Sequence, residues 1–412
     1  MNSQPTSQHP QSINFPIIDG CLQIGGMPLT RLVKLVGGTP FFAYDREHIS
    51  RRVGELRANL PEDIYLSYAM KANPMPAVVQ HLCGLVDGFD IASGGELRIA
   101  LDTPMSESRV SFAGPGKTPA ELGQAIAAGV LINLESEAEM ECVASIGRSH
   151  GIKPRVAIRV NPDFELRASG LRMGGGSKPF GVDTERLPDM LRRLGQLDLD
   201  FEGYHIFCGS QNLHAEYLRE AQEKTIELAI RLSEATPGPV RIVNIGGGFG
   251  IPYFPGQTPL DLAAVGDNLK NLMGPIRRRL PKARIVLELG RYLVGEAGIY
   301  VCQVIDRKES RGQMFLVTDG GLHHHLTASG NLGTVIRRNF PVSIGNKMAM
   351  SECESISVVG CLCTPFDILA EQIQLPPAEV GDFVVIFQSG AYGRTASPSA
   401  FLSHPAPVEA LV

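Results

Sequence analysis

No stretch of about 18 uncharged apolar residues occurs in the 412-residue sequence, so a membrane-spanning helix is not expected. An excess of positive charge is missing too. Lys and Arg number 38 against 43 Asp and Glu, and the densest basic cluster, Arg277-Arg278-Arg279, reads as a solvated helix end. That balance leaves no footprint for nucleic acid. The eight cysteines, at 21, 83, 142, 208, 302, 353, 361 and 363, lack the C-x-x-C spacing of a zinc site and lie mostly in apolar segments. Reduced thiols in a cytoplasmic protein are the better reading. Met1–Ser12 carries neither a basic n-region nor an apolar core, so no export signal is expected, and 1–13 reads as a disordered tail. What is present, 43% hydrophobic and 20% charged residues with mean hydropathy near zero, is the composition of an ordinary globular protein.

Short apolar or β-branched runs recur at Ile64–Tyr68, Leu85–Ile91, Arg109–Ala113, Val130–Leu134, Arg155–Val160, Glu202–Phe207, Arg241–Ile245 and Arg284–Glu288. Segments of helical spacing separate them, opened by cap signals such as Ser93-Gly-Gly-Glu96 and the capping box Thr118-Pro-Ala-Glu121. Eight alternating units over roughly 245 residues predict a parallel sheet closed into a (β/α)₈ barrel. After Arg291 strands follow one another with little helix: Ile299–Ile305, Met314–Thr318, Ser355–Val359 and Phe383–Phe387. The expected organisation is therefore an N-terminal segment 14–41 packing on a β domain, a barrel over 42–290, and that β domain over 291–412.

Barrels place their chemistry at the C-terminal ends of the strands. There the sequence has Lys71 after strand one, Asp90 in strand two, Arg159 in strand five, His205, Phe207 and Ser210 at strand six, Gly246-Gly247-Gly248 after strand seven, and Glu288, Gly290 and Arg291 at strand eight. A lysine beside a glycine-rich loop suggests Schiff-base chemistry, because the amine can hold an aldehyde while backbone N–H groups cradle a phosphate. Glu288, on an apolar strand, needs a partner if buried, and a protonated pyridine nitrogen is one. Each residue also has an ordinary reading: a solvated loop lysine, a flexible turn, a salt bridge between Glu288 and Arg291.

From about Phe41 to Phe401 the sequence resembles the fold-type III pyridoxal-phosphate decarboxylases, which act on ornithine, arginine and diaminopimelate. Tyr68-Ala-Met-Lys71-Ala-Asn73 is similar to the family's cofactor-lysine motif, Gly88–Ser93 to its G-F-D-x-A-S segment, and Glu288-Leu-Gly-Arg291 to its E-P-G-R, with Leu289 in place of proline. Cys363-Thr-Pro-Phe-Asp367 and Gly390-Ala-Tyr392 are similar to its C-x-x-x-D and G-A-Y elements. The resemblance implies pyridoxal phosphate held by Lys71, with Asp90, Arg159, His205, Phe207, Ser210, Gly247, Gly248, Glu288, Gly290, Arg291 and Tyr392 about it. It implies Cys363 as the proton donor, acting in the barrel of a neighbouring subunit, and so a homodimer with shared sites. Arg291, Thr364, Asp367 and Tyr392 are the implied substrate contacts.

Two departures bear on the substrate. Phe207 aligns with the family's ring-stacking histidine, which leaves His205 two residues away on the same side of the strand. Thr364 stands where an acid meets the distal ammonium of diaminopimelate or ornithine, and loss of one member of a buried ion pair costs about 3–5 kcal/mol. Gly320–His325, Gly246–Tyr253, Cys361–Pro365 and Ser389–Gly393 resemble the branch of L-glutamyl-[acyl-carrier-protein] and exosortase A system-associated decarboxylases. That branch implies an amino acid carried as a thioester on a carrier protein, with Arg337 and Arg338 as candidates for a carboxylate. The alternatives are a diaminopimelate decarboxylase acting on the free amino acid, a racemase, and a non-catalytic relative that regulates or binds partners. His323-His324-His325 raises the question of a metal; three consecutive histidines cannot all face one ion, no cysteine or carboxylate partner is evident nearby, and none is expected.

Overall fold

The computed structural model describes residues 14–164, 171–172, 174–330 and 338–412. They divide into two compact units. One comprises Arg52–Ile251 with Pro259–Tyr292; the other comprises the described residues up to Arg51, Pro252–Thr258 and Leu293–Val412.

The first unit is a barrel. Its strands, in chain order, are Ile64–Ala69, Gly88–Ile91, Val110–Phe112, Leu131–Leu134, Arg155–Asn161, Asp200–Ile206, Ile242–Asn244 and Arg284–Leu289. All pair in parallel, and pairing of the last strand with the first closes the ring. These are the eight units expected from the sequence. They are legible because a strand covered on both faces reads as a continuous apolar run, as in Leu131-Ile-Asn-Leu134 and Val156–Asn161, where every residue is buried. Helix starts are fixed locally. The Ser93 side chain accepts from Glu96 N, while Thr118 and Glu121 form the reciprocal capping box with Pro119 in the first turn. The sixth strand carries a bulge between Phe201 and Gly203, after which His205 lies level with Arg159 of the fifth.

The second unit is a mixed sheet ordered Val342–Ile344, Phe383–Ile386, Gly298–Ser310, Gln313–Thr318, Glu354–Val359, Ile368–Leu375. Phe41–Tyr44 joins it, antiparallel to Gly298–Val301 and parallel to Val408–Leu411. Residues 15–43 contribute Phe15, Leu22, Ile24, Leu29, Leu32 and Phe41 to a core shared with Ile299, Val301, Val385 and Phe387. Ile368–Leu375 was not expected as a strand because Leu369-Ala-Glu-Gln372 is rich in helix formers; its partner Glu354–Val359 overrides that preference. Among the described residues no helix is long and apolar enough to cross a membrane.

Candidate active site

Strand one ends at Ala69 and passes into a single 3₁₀ turn, Met70–Ala72, which lifts Lys71 onto the rim of the barrel. Its Nζ lies 3.2 Å from Asp90 Oδ2 and 3.2 Å from Glu288 Oε1, while the side chain remains 40% exposed. Both acids are buried, on strands two and eight, the neighbours of strand one. Burial, then the adjacent Glu288, pushes the Asp90 carboxyl well above its ordinary range. Burial works against the charge of Glu288 as well, but the Lys71 ammonium and then His205 outweigh it and hold Glu288 well below. Glu288 is thus the ionised member of the pair, the outcome expected when two acids share one cation.

His205 Nε2 lies 3.2 Å from the other oxygen of Glu288, while its buried Nδ1 lacks a hydrogen-bond partner among the described residues. Burial lowers its pKa, leaving a neutral imidazole. Asn244, at the end of strand seven, donates from Nδ2 to Glu288 Oε2 at 3.2 Å and accepts from Gly246 N at 2.8 Å. Ser111 Oγ donates to Asp90 Oδ1 at 3.1 Å. Neither Asn244 nor Ser111 was expected from the sequence, since polar residues of these types at strand ends are too common to mark; the one available signal was Asn244 standing just ahead of three glycines.

Those glycines allow a close approach of backbones. A Cβ on Gly247 would sit 2.1 Å from Glu288 O, and Gly248 O accepts from Asn212 N at 2.9 Å, tying the loop to the chain beyond Ser210. Gly290 packs on the Lys71 turn, where a Cβ would meet that of Ala72 at 2.8 Å. Arg291 opens the short helix Arg291–Val294. Phe207 and Ser210 are half-buried past the end of strand six. Arg159 is buried and donates to Glu135 Oε1 at 2.8 Å, with its guanidinium 5.0 Å from the Phe180 ring centre. Glu135 also accepts from Gly114 N and Gly181 N. Burial opposes its charge, but Arg159 and these bonds hold it below the ordinary range.

The remaining expected residues belong to the second unit. Cys363 is exposed. Thr364 is half-buried, and Phe366 beside it is 65% exposed. Asp367, expected among the substrate contacts, is buried with Oδ1 accepting from Leu322 N at 2.6 Å and Oδ2 from Leu362 N at 2.8 Å. Its carboxylate joins the turn around Gly321 to the loop that bears Cys363. Tyr392 is half-buried at φ +54°, its carbonyl accepting from Thr327 Oγ1. Arg338 lies 5.3 Å from the Phe254 ring centre, and Arg337 lies outside the described residues. One expectation needs correction: His323 does have cysteine and histidine neighbours, Cys361 and His404, with one ligand atom from each of the three within 4.8 Å of the others. Their positions, 38 and 81 residues past His323, hid them from a reading along the chain.

Residues 46–295 match the family described as pyridoxal-dependent decarboxylase, pyridoxal binding domain. The chain belongs to the pyridoxal-dependent decarboxylases. It is 34% identical, over 90% of its length and 88% of the relative's, to the L-glutamyl-[BtrI acyl-carrier protein] decarboxylase of Niallia circulans. To the diaminopimelate decarboxylase of Aquifex aeolicus it is 33% identical, over 96% of this chain and 91% of the other. The crystal structure of diaminopimelate decarboxylase from M. jannaschii with L-lysine superposes with a TM-score of 0.89 at 25% identity, covering 98% of this chain and 93% of that one.

As a pyridoxal-dependent decarboxylase, the chain is a carboxy-lyase that takes pyridoxal phosphate, and the rim residues fit that group. An amine stands within reach of a buried, ionised carboxylate, a buried histidine has a ring nitrogen without a hydrogen-bond partner among the described residues, and a glycine loop leaves no room for side chains beside Glu288. Bound there, the cofactor supplies an electron sink for the pair released when an α-carboxylate departs as CO₂.

Proposed function

We propose that this decarboxylase acts on an amino acid held at its far end as a thioester on a carrier protein, with a glutamyl-like group as the leading candidate. One observation carries the reading. The segment Gly360–Asp367 offers no carboxylate to a distal ammonium, because position 364 is threonine and both oxygens of Asp367 are engaged by backbone N–H groups. A desolvated ammonium left unpaired there costs about 3–5 kcal/mol, enough to lower affinity by roughly 10²–10³ or more. A thioester brings no such charge. The likeness to a glutamyl-carrier-protein decarboxylase supports the same conclusion.

In this reading Lys71 Nζ holds the cofactor and Asp90 orients that amine. Glu288 keeps positive charge at the ring nitrogen, with Asn244 and His205 fixing its second oxygen. Phe207 covers the ring face. Ser210, Gly247, Gly248 and Arg291 bind the phosphate, and Gly290 keeps the Lys71 turn against strand eight. Arg159, braced by Glu135, adds positive charge on the cofactor side. Cys363 Sγ from a second copy of the chain returns a proton to Cα after CO₂ leaves, aided by Tyr392 at the same site; the exposure of Cys363 and Phe366 in the single chain supports a shared-site homodimer.

Diaminopimelate is the second reading, favoured by the Aquifex relative. The deciding experiment is CO₂ release from a panel of aminoacyl carrier proteins and free amino acids. Turnover of a carrier-bound amino acid with weak activity on free diaminopimelate is the expected result. Free diaminopimelate turned over with kcat/KM above roughly 10⁴ M⁻¹s⁻¹, with no activity on any carrier-bound substrate, overturns it.

A further inference from the structure

In the second unit the three consecutive histidines have different surroundings. His324 accepts at Nδ1 from the Tyr300 hydroxyl at 3.1 Å and donates from Nε2 to Pro405 O at 3.0 Å. His325 accepts at Nδ1 from Ala328 N and donates from Nε2 to Ser389 Oγ at 2.8 Å. His323 is 0% exposed, and neither of its ring nitrogens has a hydrogen-bond partner among the described residues. A buried imidazole in that state calls for an explanation, since nearly all buried polar groups are paired.

The surroundings of His323 supply one. Cys361 Sγ lies 3.9 Å from His404 Nε2 and 4.0 Å from His404 Nδ1, and the His323 and His404 ring centres are 5.1 Å apart. One sulfur and two nitrogens therefore stand within 4.8 Å of one another. In tetrahedral zinc with Zn–N near 2.0–2.1 Å and Zn–S near 2.3 Å, such atoms are separated by roughly 3.3–3.6 Å. The observed triangle is open by up to about 1.5 Å at its widest, a gap that side-chain rotation of half-buried His404 can narrow. The neighbouring acids are already engaged: Asp367 by Leu322 N and Leu362 N, Asp319 by Thr39 Oγ1 and Gln303 N.

We infer that His323, Cys361 and His404 form a binding site for a zinc-like divalent ion, with a water completing the tetrahedron. A thiolate with two neutral imidazoles is a ligand set of the kind zinc takes. Binding releases one proton to solvent, from the Cys361 thiol as the sulfur–metal bond forms. The ion joins three segments: the turn 320–325 and the loop 360–367, which also meet through Asp367, and the chain at His404. Because Cys361 is two residues before Cys363, it braces the loop proposed to carry the proton donor. That consequence rests on the proposed function; the metal site does not.

The test uses tag-free, cofactor-loaded full-length protein. Zinc titration against a competing chelator is expected to give one tight site per chain, and X-ray absorption at the zinc edge a shell of one sulfur with nitrogen or oxygen neighbours. Cys361→Ser and His404→Ala are expected to weaken binding by at least about 100-fold, with Cys353→Ser, an exposed cysteine elsewhere in this unit, unchanged. Hydrogen exchange over residues 360–367 is expected to slow on adding zinc. A shell without sulfur, or wild-type affinity no higher than that of Cys361→Ser, overturns the site, and the absorption measurement on wild-type protein decides this even if a variant does not fold. Zinc binding with unchanged exchange in the loop overturns the bracing.

Discussion

A single methyl group added at Gly247 tests whether close contact of two strand ends builds the site. The new Cβ would lie 2.1 Å from Glu288 O, 2.5 Å from Leu289 Cδ2 and 3.1 Å from Glu288 C. Carbon and carbonyl oxygen ordinarily come no closer than about 3.3 Å, so one backbone must retreat by about 1 Å. Side-chain rotation cannot relieve the clash, because the nearest atom belongs to a strand hydrogen-bonded into the barrel. The displaced residue is Glu288, whose Oε1 lies 3.2 Å from Lys71 Nζ. Overpacking of this kind costs about 1–3 kcal/mol, and a 1 Å misplacement of catalytic groups about 10²-fold in rate. Gly247→Ala is therefore expected to lower kcat by about that factor and to weaken cofactor affinity, read by decarboxylation rate and by fluorescence titration with pyridoxal phosphate. The control is Gly54→Ala, exposed in the helix Arg46–Asn59 with open space around the added carbon. It should leave activity unchanged and stabilise the fold by about 0.5–1 kcal/mol. Wild-type rate and affinity in Gly247→Ala would refute the reasoning.

Borohydride reduction of the cofactor-loaded protein should attach the pyridoxyl group to the peptide containing Lys71; recovery on a different lysine by mass spectrometry would move the site. Cys363→Ala should lower turnover by about 10²–10⁴ or divert the product while leaving cofactor affinity intact, and unchanged turnover and product would make the cysteine a bystander. Asp367→Asn keeps one acceptor where two backbone donors converge. It is expected to cost about 2–3 kcal/mol in a denaturant titration, the worth of a bond to a charged group, against no change if the loop is held by other contacts. Glu135 has a folded pKa held below the unfolded value near 4.3 by Arg159. Its contribution to stability is full above that value and fades as pH falls through the folded pKa. Glu135→Gln should thus show a flatter loss of stability below pH about 4 than wild type, and parallel curves would count against the pair.

The barrel was legible because its strands are covered on both faces and each ends in a residue out of keeping with an apolar run. Lys71, Asp90, His205 and Glu288 stood out on that ground, and the fold brings the four together. Nothing was marked at the end of strand four; Glu135, which fixes Arg159, sits there. Acids at loop starts are common, and only the buried arginine opposite makes this one special. The second sheet was less legible. Ile368–Leu375 is composed largely of residues that favour helices, and its pairing is set by a neighbour rather than by its own preference. The His323, Cys361 and His404 cluster was signalled only by the run of three histidines, because its other two members lie on separate segments of the chain.

The strand Phe41–Tyr44 has a consequence for how the protein is made. Phe41 pairs with Val301 and Tyr44 with Gly298, so an early part of the chain waits for a distant one before its sheet can exist. Translation at about 5–20 residues per second puts about 260 residues, and roughly 10–50 s, between the synthesis of the two partners. Throughout that interval Phe41-Phe42-Ala43-Tyr44, wholly buried in the finished fold, is an unpaired apolar edge outside a growing barrel. Slower synthesis lengthens the exposure, whereas a holding chaperone covers it. The yield of active enzyme in a cell-free translation should accordingly respond more to chaperone supply than to translation speed.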